Sequence, residues 1–329
     1  MGGTARPWAK ALEIRDATPG TGTIQLGERL GAARPGGPSR ARSRGVSTES
    51  QSLRDHLREW TYELGGPGTR ERLKKLAPAR NDYGVDPYGF DIDFTIAAAA
   101  PFAWLYRKYF RVSLHGIEHV PASGRVLLCA NHSGQLPFDA AMIELSLLLD
   151  MDPPRIARAL VERWVPTLPF VAPFFARLGQ VVGTPENCRR LLAADEALLV
   201  FPEGVRGLNK TFSERYRLRT FSTGFIRLAL EAGAPIVPIG VVGAEEQAPS
   251  LVDLKPLAKM LGLPALPITP YLLPLPLPVH YHIHFGQPLR FTGSPDADDA
   301  ELERQAGEVQ AAVQGLVDHG LAERPGVFL

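Results

Sequence analysis

Two blocks of residues carry the types and spacings that chemistry needs. In the first, Asn131-His132-Ser133-Gly134-Gln135-Leu136-Pro137-Phe138-Asp139, six residues separate an imidazole from a carboxylate. A carboxylate that meets one ring nitrogen fixes the tautomer and stabilises the imidazolium, which frees the other nitrogen to take a proton as a general base. In the second, Phe201-Pro202-Glu203-Gly204-Val205-Arg206-Gly207, a glutamate and an arginine sit on a glycine-containing loop suited to a polar or phosphorylated ligand. A lone histidine near an aspartate serves structure more often than catalysis. The weight therefore rests on what positions the two blocks.

Both blocks follow short apolar runs. Val126-Leu127-Leu128-Cys129-Ala130 and Ala197-Leu198-Leu199-Val200 read as strands buried on both faces. Gly134 permits a sharp turn after the first run. Pro137 suits the first position of a helix over 137–149, which puts Asp139 in the first turn, where the helix dipole favours a carboxylate. Between the blocks the pattern predicts a strand over 156–161, a helix over 169–178 and a strand over 180–183. Thr184 then caps a helix that opens at Pro185 and ends near Leu192. A helix over 220–231 and a strand over 234–242 follow. Strands alternating with helices predict an α/β domain with a largely parallel sheet.

Three blocks in this order, Asn-His with a following Asp, Phe-Pro-Glu-Gly-Val-Arg, and Pro235-Ile236-Val237-Pro238-Ile239, resemble the glycerolipid acyltransferase family, which includes the 1-acylglycerol-3-phosphate acyltransferases. The resemblance spans about residues 115–290. It implies an α/β domain with helices flanking the sheet, no metal or redox cofactor, and an acyl thioester donor, either acyl-CoA or acyl carrier protein. His132 is implied as the general base on an acceptor hydroxyl and Asp139 as its orienter, with direct attack on the thioester. Asn131, Ser133, Phe201, Pro202, Glu203, Gly204 and Arg206 are implied in substrate binding, with Arg206 the phosphate or headgroup contact. Two features depart from the family pattern. The commonest family spacing places four residues between His and Asp, so the longer loop here must fold back, and such loops resemble the branch acting on mono- and diacylglycerols or other alcohols. The family's phosphate-binding Arg is absent from Gln180-Val181-Val182-Gly183-Thr184-Pro185-Glu186-Asn187. Lys210, Arg215, Arg217 and Arg219 are the nearby candidates to replace it. Three other functions stay open: a 1-acylglycerol-3-phosphate acyltransferase proper, a catalytically silent lipid-binding module and, weakest of the three, a zinc hydrolase built on His280, His282 and His284.

Composition sets the outer limits. The chain has 329 residues, 45% of them apolar and 22% charged, with a formal net charge of +1. That balance fits a globular protein and lacks the basic surface of a nucleic-acid binder. Two cysteines, Cys129 and Cys188, make no disulfide framework and fit a reducing compartment. Residues 1–50 are rich in glycine and carry +4, a composition that predicts a disordered basic tail. Residues 51–114 read as helical. Leu53, Leu57, Trp60 and Leu64 form one helix face, and Trp104, Tyr106, Tyr109 and Phe110 interleave with Arg107, Lys108 and Arg111. That second cluster suits either a lipid headgroup layer or a core helix with a charged exit. Residues 115–295 form the catalytic domain and 296–329 a C-terminal helix led by Asp298 and Asp299. With no apolar run long enough to span a bilayer, the expected setting is cytoplasmic, peripheral to the inner face of a membrane. The proline-rich segment 260–289, which has no charged residue, is either a packed loop or a lipid-facing lid. His280, His282 and His284 alternate on a strand, yet no Cys, Asp or Glu lies within ten residues to complete a metal site, so they read as strand residues facing one surface.

Overall fold

Helices come first along the chain: α1 (Arg44–Gly65), α2 (Thr69–Lys74) and α3 (Ile92–Trp104), the last running through Pro101 into a π-helical turn at Leu105–Tyr109. Strands and helices then alternate: β1 (Ser113–His115), β2 (Val126–Ala130), α4 (Phe138–Leu149), β3 (Ala157–Val161), α5 (Val171–Arg177), β4 (Val181–Val182), α6 (Pro185–Ala193), β5 (Ala197–Val200), α7 (Gly224–Ala232) and β6 (Ile236–Val242). A two-residue pairing of β7 (Val252–Asp253) with β8 (Pro267–Ile268), then β9 (His282–Phe285) and the long α8 (Asp299–Glu323), complete the chain. This computed structural model describes residues 44–76, 84–132, 137–204, 207, 210, 212–247, 252–253, 267–268 and 276–328. Most of the expected basic tail and nearly half of the proline-rich segment lie outside the described residues.

α1 starts inside the stretch whose composition predicted disorder, because composition averages over a window and does not locate a helix end. Further on, the aromatic and basic cluster is largely an interior feature. Tyr106 and Phe110 are fully buried, and the Tyr106 hydroxyl donates to the Asp150 carboxylate at 2.6 Å. Arg107 also pairs with Asp150, and Arg111 donates to the Pro278 and Phe328 carbonyls. Trp104 and Lys108 are the exposed members, with Trp104 stacked on Tyr109. Among the described residues, no helix is long and apolar enough to cross a membrane.

The seven-stranded sheet has the order β1-β9-β6-β2-β5-β3-β4. Pairings from β6 through β4 are all parallel, whereas β9 runs antiparallel to β6 and carries β1 parallel beside it. Leaving β2, the chain moves outward to β3 and β4, returns so that β5 slots between β2 and β3, and then crosses to β6 on the other side of β2. The carboxyl ends of β2, β5 and β6 are thereby neighbours. Open α/β sheets bind ligands at such an edge.

Helices cover both faces, which is why the strands read as continuous apolar runs. Leu128, Leu199, Val237 and Ile239 pack with α3 and α4 on one face. Leu127, Cys129, Leu198 and Ile236 pack with α6, α7 and α8 on the other. Both cysteines are free and buried, and burial raises each thiol, Cys188 to about 11. The C-terminal half of α8 lies against β6 and β9 where side chains vanish: a Cβ on Gly240 would fall 2.7 Å from Leu316 Cβ and 2.9 Å from the helix backbone. His282 and His284 face this helix from β9. Burial first, then neighbouring imidazoles, lowers both rings to about 4.

Gly240→Ala should lower stability by about 1–3 kcal/mol through overpacking against a backbone that cannot retreat. Gly307, inside α8 with open space around it, should tolerate alanine and gain roughly 0.5–1 kcal/mol. Urea denaturation midpoints of the two variants check both signs.

Candidate functional site

β2 ends at Ala130, and the next residue closes the sheet edge. The Asn131 side chain is fully buried, donating to the Val241 carbonyl at 3.0 Å and accepting from the Val241 amide at 2.7 Å. Both halves of its amide are used to bridge β2 to β6. Asn131 is thereby a staple that fixes where His132 leaves the sheet.

His132 meets Asp139 across the longer loop. His132 Nδ1 and Asp139 Oδ2 lie 2.7 Å apart. The Asp139 side chain is fully buried and that of His132 is 16% exposed, so the imidazole has one protected edge and one open one. Helix α4 begins at Phe138, one residue later than the spacing suggested, with Pro137 as its flanking residue. Asp139 therefore lies at the very start of the helix, and its other oxygen accepts from the Ala140 amide at 2.8 Å. A carboxylate held this way accepts the Nδ1 proton and leaves Nε2 with its lone pair outward. Tyr281, buried nearby, has its phenol pushed up first by burial and then by the Asp139 charge. Ser133, Gly134, Gln135 and Leu136, which form the loop between the pair, lie outside the described residues.

Phe201 and Glu203 reach the histidine from β5. The Phe201 ring stacks on the imidazole with centroids 4.3 Å apart and planes 28° from parallel. Glu203, 1% exposed, accepts from the His132 amide at 3.1 Å and from the Arg219 amide at 2.7 Å. Lys210 Nζ lies 3.2 Å from the same carboxylate and 3.0 Å from that of Glu245. The Glu245 carboxylate accepts in turn from the Tyr216 amide at 2.8 Å, and burial raises its pKa. Pro202 is buried, with its carbonyl accepting from the Ser222 amide at 3.1 Å, and Gly204 adopts a φ of 59°, a left-handed conformation that favours glycine. Arg206 lies outside the described residues.

Glu203 is an internal brace whose oxygens accept from the protein's own donors. Lys210, read as a candidate phosphate contact, is locked between two carboxylates. Arg219 pairs with Glu214 at 2.7 Å, and Arg215 sits over the Phe212 ring. Gly207 is a residue the sequence reading passed over. A Cβ there would lie 3.1 Å from His132 Cβ and 3.0 Å from Glu203 Cβ, so glycine lets residue 207 approach both without crowding. Its place at the end of the Phe-Pro-Glu-Gly block was the available signal. Nothing local to Lys210 or Glu245 announces their pairing. An apolar cavity of about 370 Å³, lined by Tyr88, Val165, Phe175, Val182 and Asn187 among others, opens beside β4 and includes neither His132 nor Asp139.

Residues 111–242 match the family described as Acyltransferase. An uncharacterised protein of Mycobacterium leprae is 40% identical over 259 residues, which is 75% of this chain and 70% of that protein. A probable 1-acyl-sn-glycerol-3-phosphate acyltransferase of Mycoplasma pneumoniae is 29% identical, over 52% of this chain and 65% of its own. A DGAT1/2-independent enzyme synthesizing storage lipids, from Gallus gallus, is 26% identical, over 64% of this chain and 60% of its own.

Lys210→Met removes the cation between two buried carboxylates. It should cost about 3–5 kcal/mol of stability at neutral pH. The sign with pH is distinctive. A carboxyl group whose pKa is higher folded than unfolded makes the native state bind more protons, so stability rises as pH falls through that interval. Glu245, already raised and now without its lysine, should make the variant recover part of its deficit as the pH drops from 7 toward the unfolded value of about 4.5. Urea titrations at several pH values check it.

Proposed function

Because this chain belongs to the glycerolipid acyltransferase family, we propose that it transfers a fatty acyl group from an acyl thioester to the hydroxyl of a glycerolipid or alcohol, with His132 as general base. The observation that carries the reading is the 2.7 Å contact between His132 Nδ1 and Asp139 Oδ2. It supports His132 as the base and Asp139 as its orienter despite six intervening residues. Nε2 takes the proton of the acceptor O–H as that oxygen attacks the thioester carbonyl. The tetrahedral intermediate then collapses, the C–S bond breaks, and the leaving thiolate takes the proton back from Nε2. One ester forms, one thioester is consumed, and His132 ends neutral. No acyl-enzyme is required, and the step as written calls on no metal or redox cofactor.

Two observations favour an acceptor without a phosphate. The arginine that phosphate-using relatives carry before α6 is absent, and Lys210 is tied to Glu203 and Glu245 instead of standing ready to replace it. The similarity to an enzyme named for storage-lipid synthesis points the same way. The phosphorylated alternative rests on Arg206, which closes the Phe-Pro-Glu-Gly-Val-Arg block, and on the similarity to a probable 1-acyl-sn-glycerol-3-phosphate acyltransferase. Both substrates are amphipathic, so work at the cytoplasmic surface of a membrane is part of the proposal. The donor is acyl-CoA or acyl carrier protein.

Labelled acyl-CoA and acyl carrier protein, each supplied with lysophosphatidate, lysophospholipid, monoacylglycerol, diacylglycerol or a long-chain alcohol, test the reading. Transfer should depend on His132, with His132→Ala lowering kcat by about 10²–10⁴-fold and Asp139→Asn following it within that range. A neutral acceptor should be preferred, and Arg206→Ala should leave that activity nearly intact. Loss confined to lysophosphatidate in Arg206→Ala would move the assignment to the phosphorylated branch. Lipid binding without turnover by either donor, unchanged in His132→Ala, would identify a silent lipid-binding module.

A further inference from the structure

Away from the dyad, the fold gathers histidines that are scattered in the sequence. His115 on β1 pairs in register with His284 on β9, and α8 brings His319 and Glu323 against the same strand. His284 is 3% exposed, and its Nε2 has no hydrogen-bond partner. An unpartnered ring nitrogen that deep in a protein calls for an explanation, since burial without a partner costs about 1–3 kcal/mol. The helix leaves this nitrogen uncovered by design of residue type: a Cβ at Gly320 would stand 2.7 Å from His284 Nε2 and cap it.

Two sets of ligand atoms share His284, and ring geometry separates them. His115 and His284 stack face to face, 4.3 Å apart and 7° from parallel. Parallel rings project their nitrogens side by side and do not converge on one ion. His284 and His319 are arranged edge to face, with centroids 5.6 Å apart and planes at 77°. His319 Nε2 and Glu323 Oε2 are already 3.2 Å apart, four residues along one face of α8. Ligands at 2.0–2.2 Å from a tetrahedral zinc are separated by about 3.3–3.5 Å. All three ligand atoms, one from each of His284, His319 and Glu323, lie within 4.8 Å of one another. His319 and Glu323 are half exposed on the helix, while His284 is nearly fully buried on the sheet.

We propose that His284, His319 and Glu323 form a binding site for zinc, or for a similar borderline divalent ion, which clips the C-terminal helix to β9 and keeps a fourth position for water. Two imidazoles and one carboxylate are a donor set that suits zinc, cobalt and nickel and disfavours calcium or magnesium. The site is separate from the His132–Asp139 pair and takes no part in the acyl transfer proposed above. Its consequence is mechanical: α8 covers β6 and β9, so an ion bridging helix and strand stabilises the folded chain in proportion to its occupancy.

The test uses the full-length chain without a histidine tag, stripped with chelator and titrated with zinc chloride in a calorimeter. One zinc ion should bind per chain at roughly micromolar affinity or tighter and should raise Tm. Cobalt in its place should give the visible absorption of a tetrahedral site. His319→Ala and Glu323→Gln alter surface side chains and should fold normally, yet weaken binding by roughly 10–100-fold or more and abolish the zinc-dependent rise in Tm. His56→Ala, on α1, should bind as the wild type does. The absence of stoichiometric zinc binding would overturn the proposal. So would binding that survives both α8 substitutions, including binding lost only on substitution of His115 or His282.

Discussion

The carboxylate of Glu203 is the constraint on which the site depends. Moving such a group out of water costs several kcal/mol, and the protein offsets that with one buried ammonium and two backbone amides. Those donors come from separate segments: His132 after β2, Lys210 beyond the β5 loop, and Arg219 ahead of α7. Because the charge must keep its donors, the three segments hold a common position. Lys210 extends the linkage to Glu245, and Glu245 to the Tyr216 backbone. The backbone of His132 is therefore fixed by an electrostatic requirement within the interior.

The sheet order makes that linkage geometrically possible. A strand added at the edge would place the Phe-Pro-Glu-Gly block far from His132. Instead β5 returns to lie beside β2, and the Asn131–Val241 bridge ties β6 to the other side of the same strand. The segments that follow β2 and β5 then leave one sheet edge together, and the third block runs along β6 beside them. Phe201 covers one face of the imidazole, Gly207 lets the following loop approach it, and Asp139 holds one nitrogen. The side chain stays partly exposed, as the proposed general base requires. Oriented in this way, the residues do their work by restricting the ring to one tautomer and one direction.

Glycines serve the outer parts of the fold in the same manner. Gly240 lets α8 lie directly on β6, and Gly320 lets the His284 ring reach the helix. Close approach of helix to sheet without side chains removes the slack that would otherwise blur the position of α8. It also brings the histidines of one strand and one helix into a single cluster.

Local patterns in the sequence determined a good deal. Continuous apolar runs such as 126–130 and 197–200 specify strands buried on both faces, and their alternation with helical segments specifies a largely parallel α/β sheet. The Thr184 cap with Pro185 behind it, and the Asp298 cap of the last helix, are visible because capping needs a particular side chain at a particular position. His132 and Asp139 were legible as a possible pair for the same reason, since their residue types are what the contact needs. Tertiary structure alone decided the rest. Whether a seven-residue offset brings His132 to Asp139 depends on a loop's path. That Glu203 and Asn131 are braces depends on donors 71 and 110 residues away in sequence. The histidines of β9 appeared to lack a carboxylate because none stands near them along the chain; Glu323 reaches them only when α8 packs on the sheet. Periodicity and capping are written within a few residues of their effect, whereas charge pairing and ligand sets are satisfied by whatever the fold brings close, and sequence distance carries no record of that.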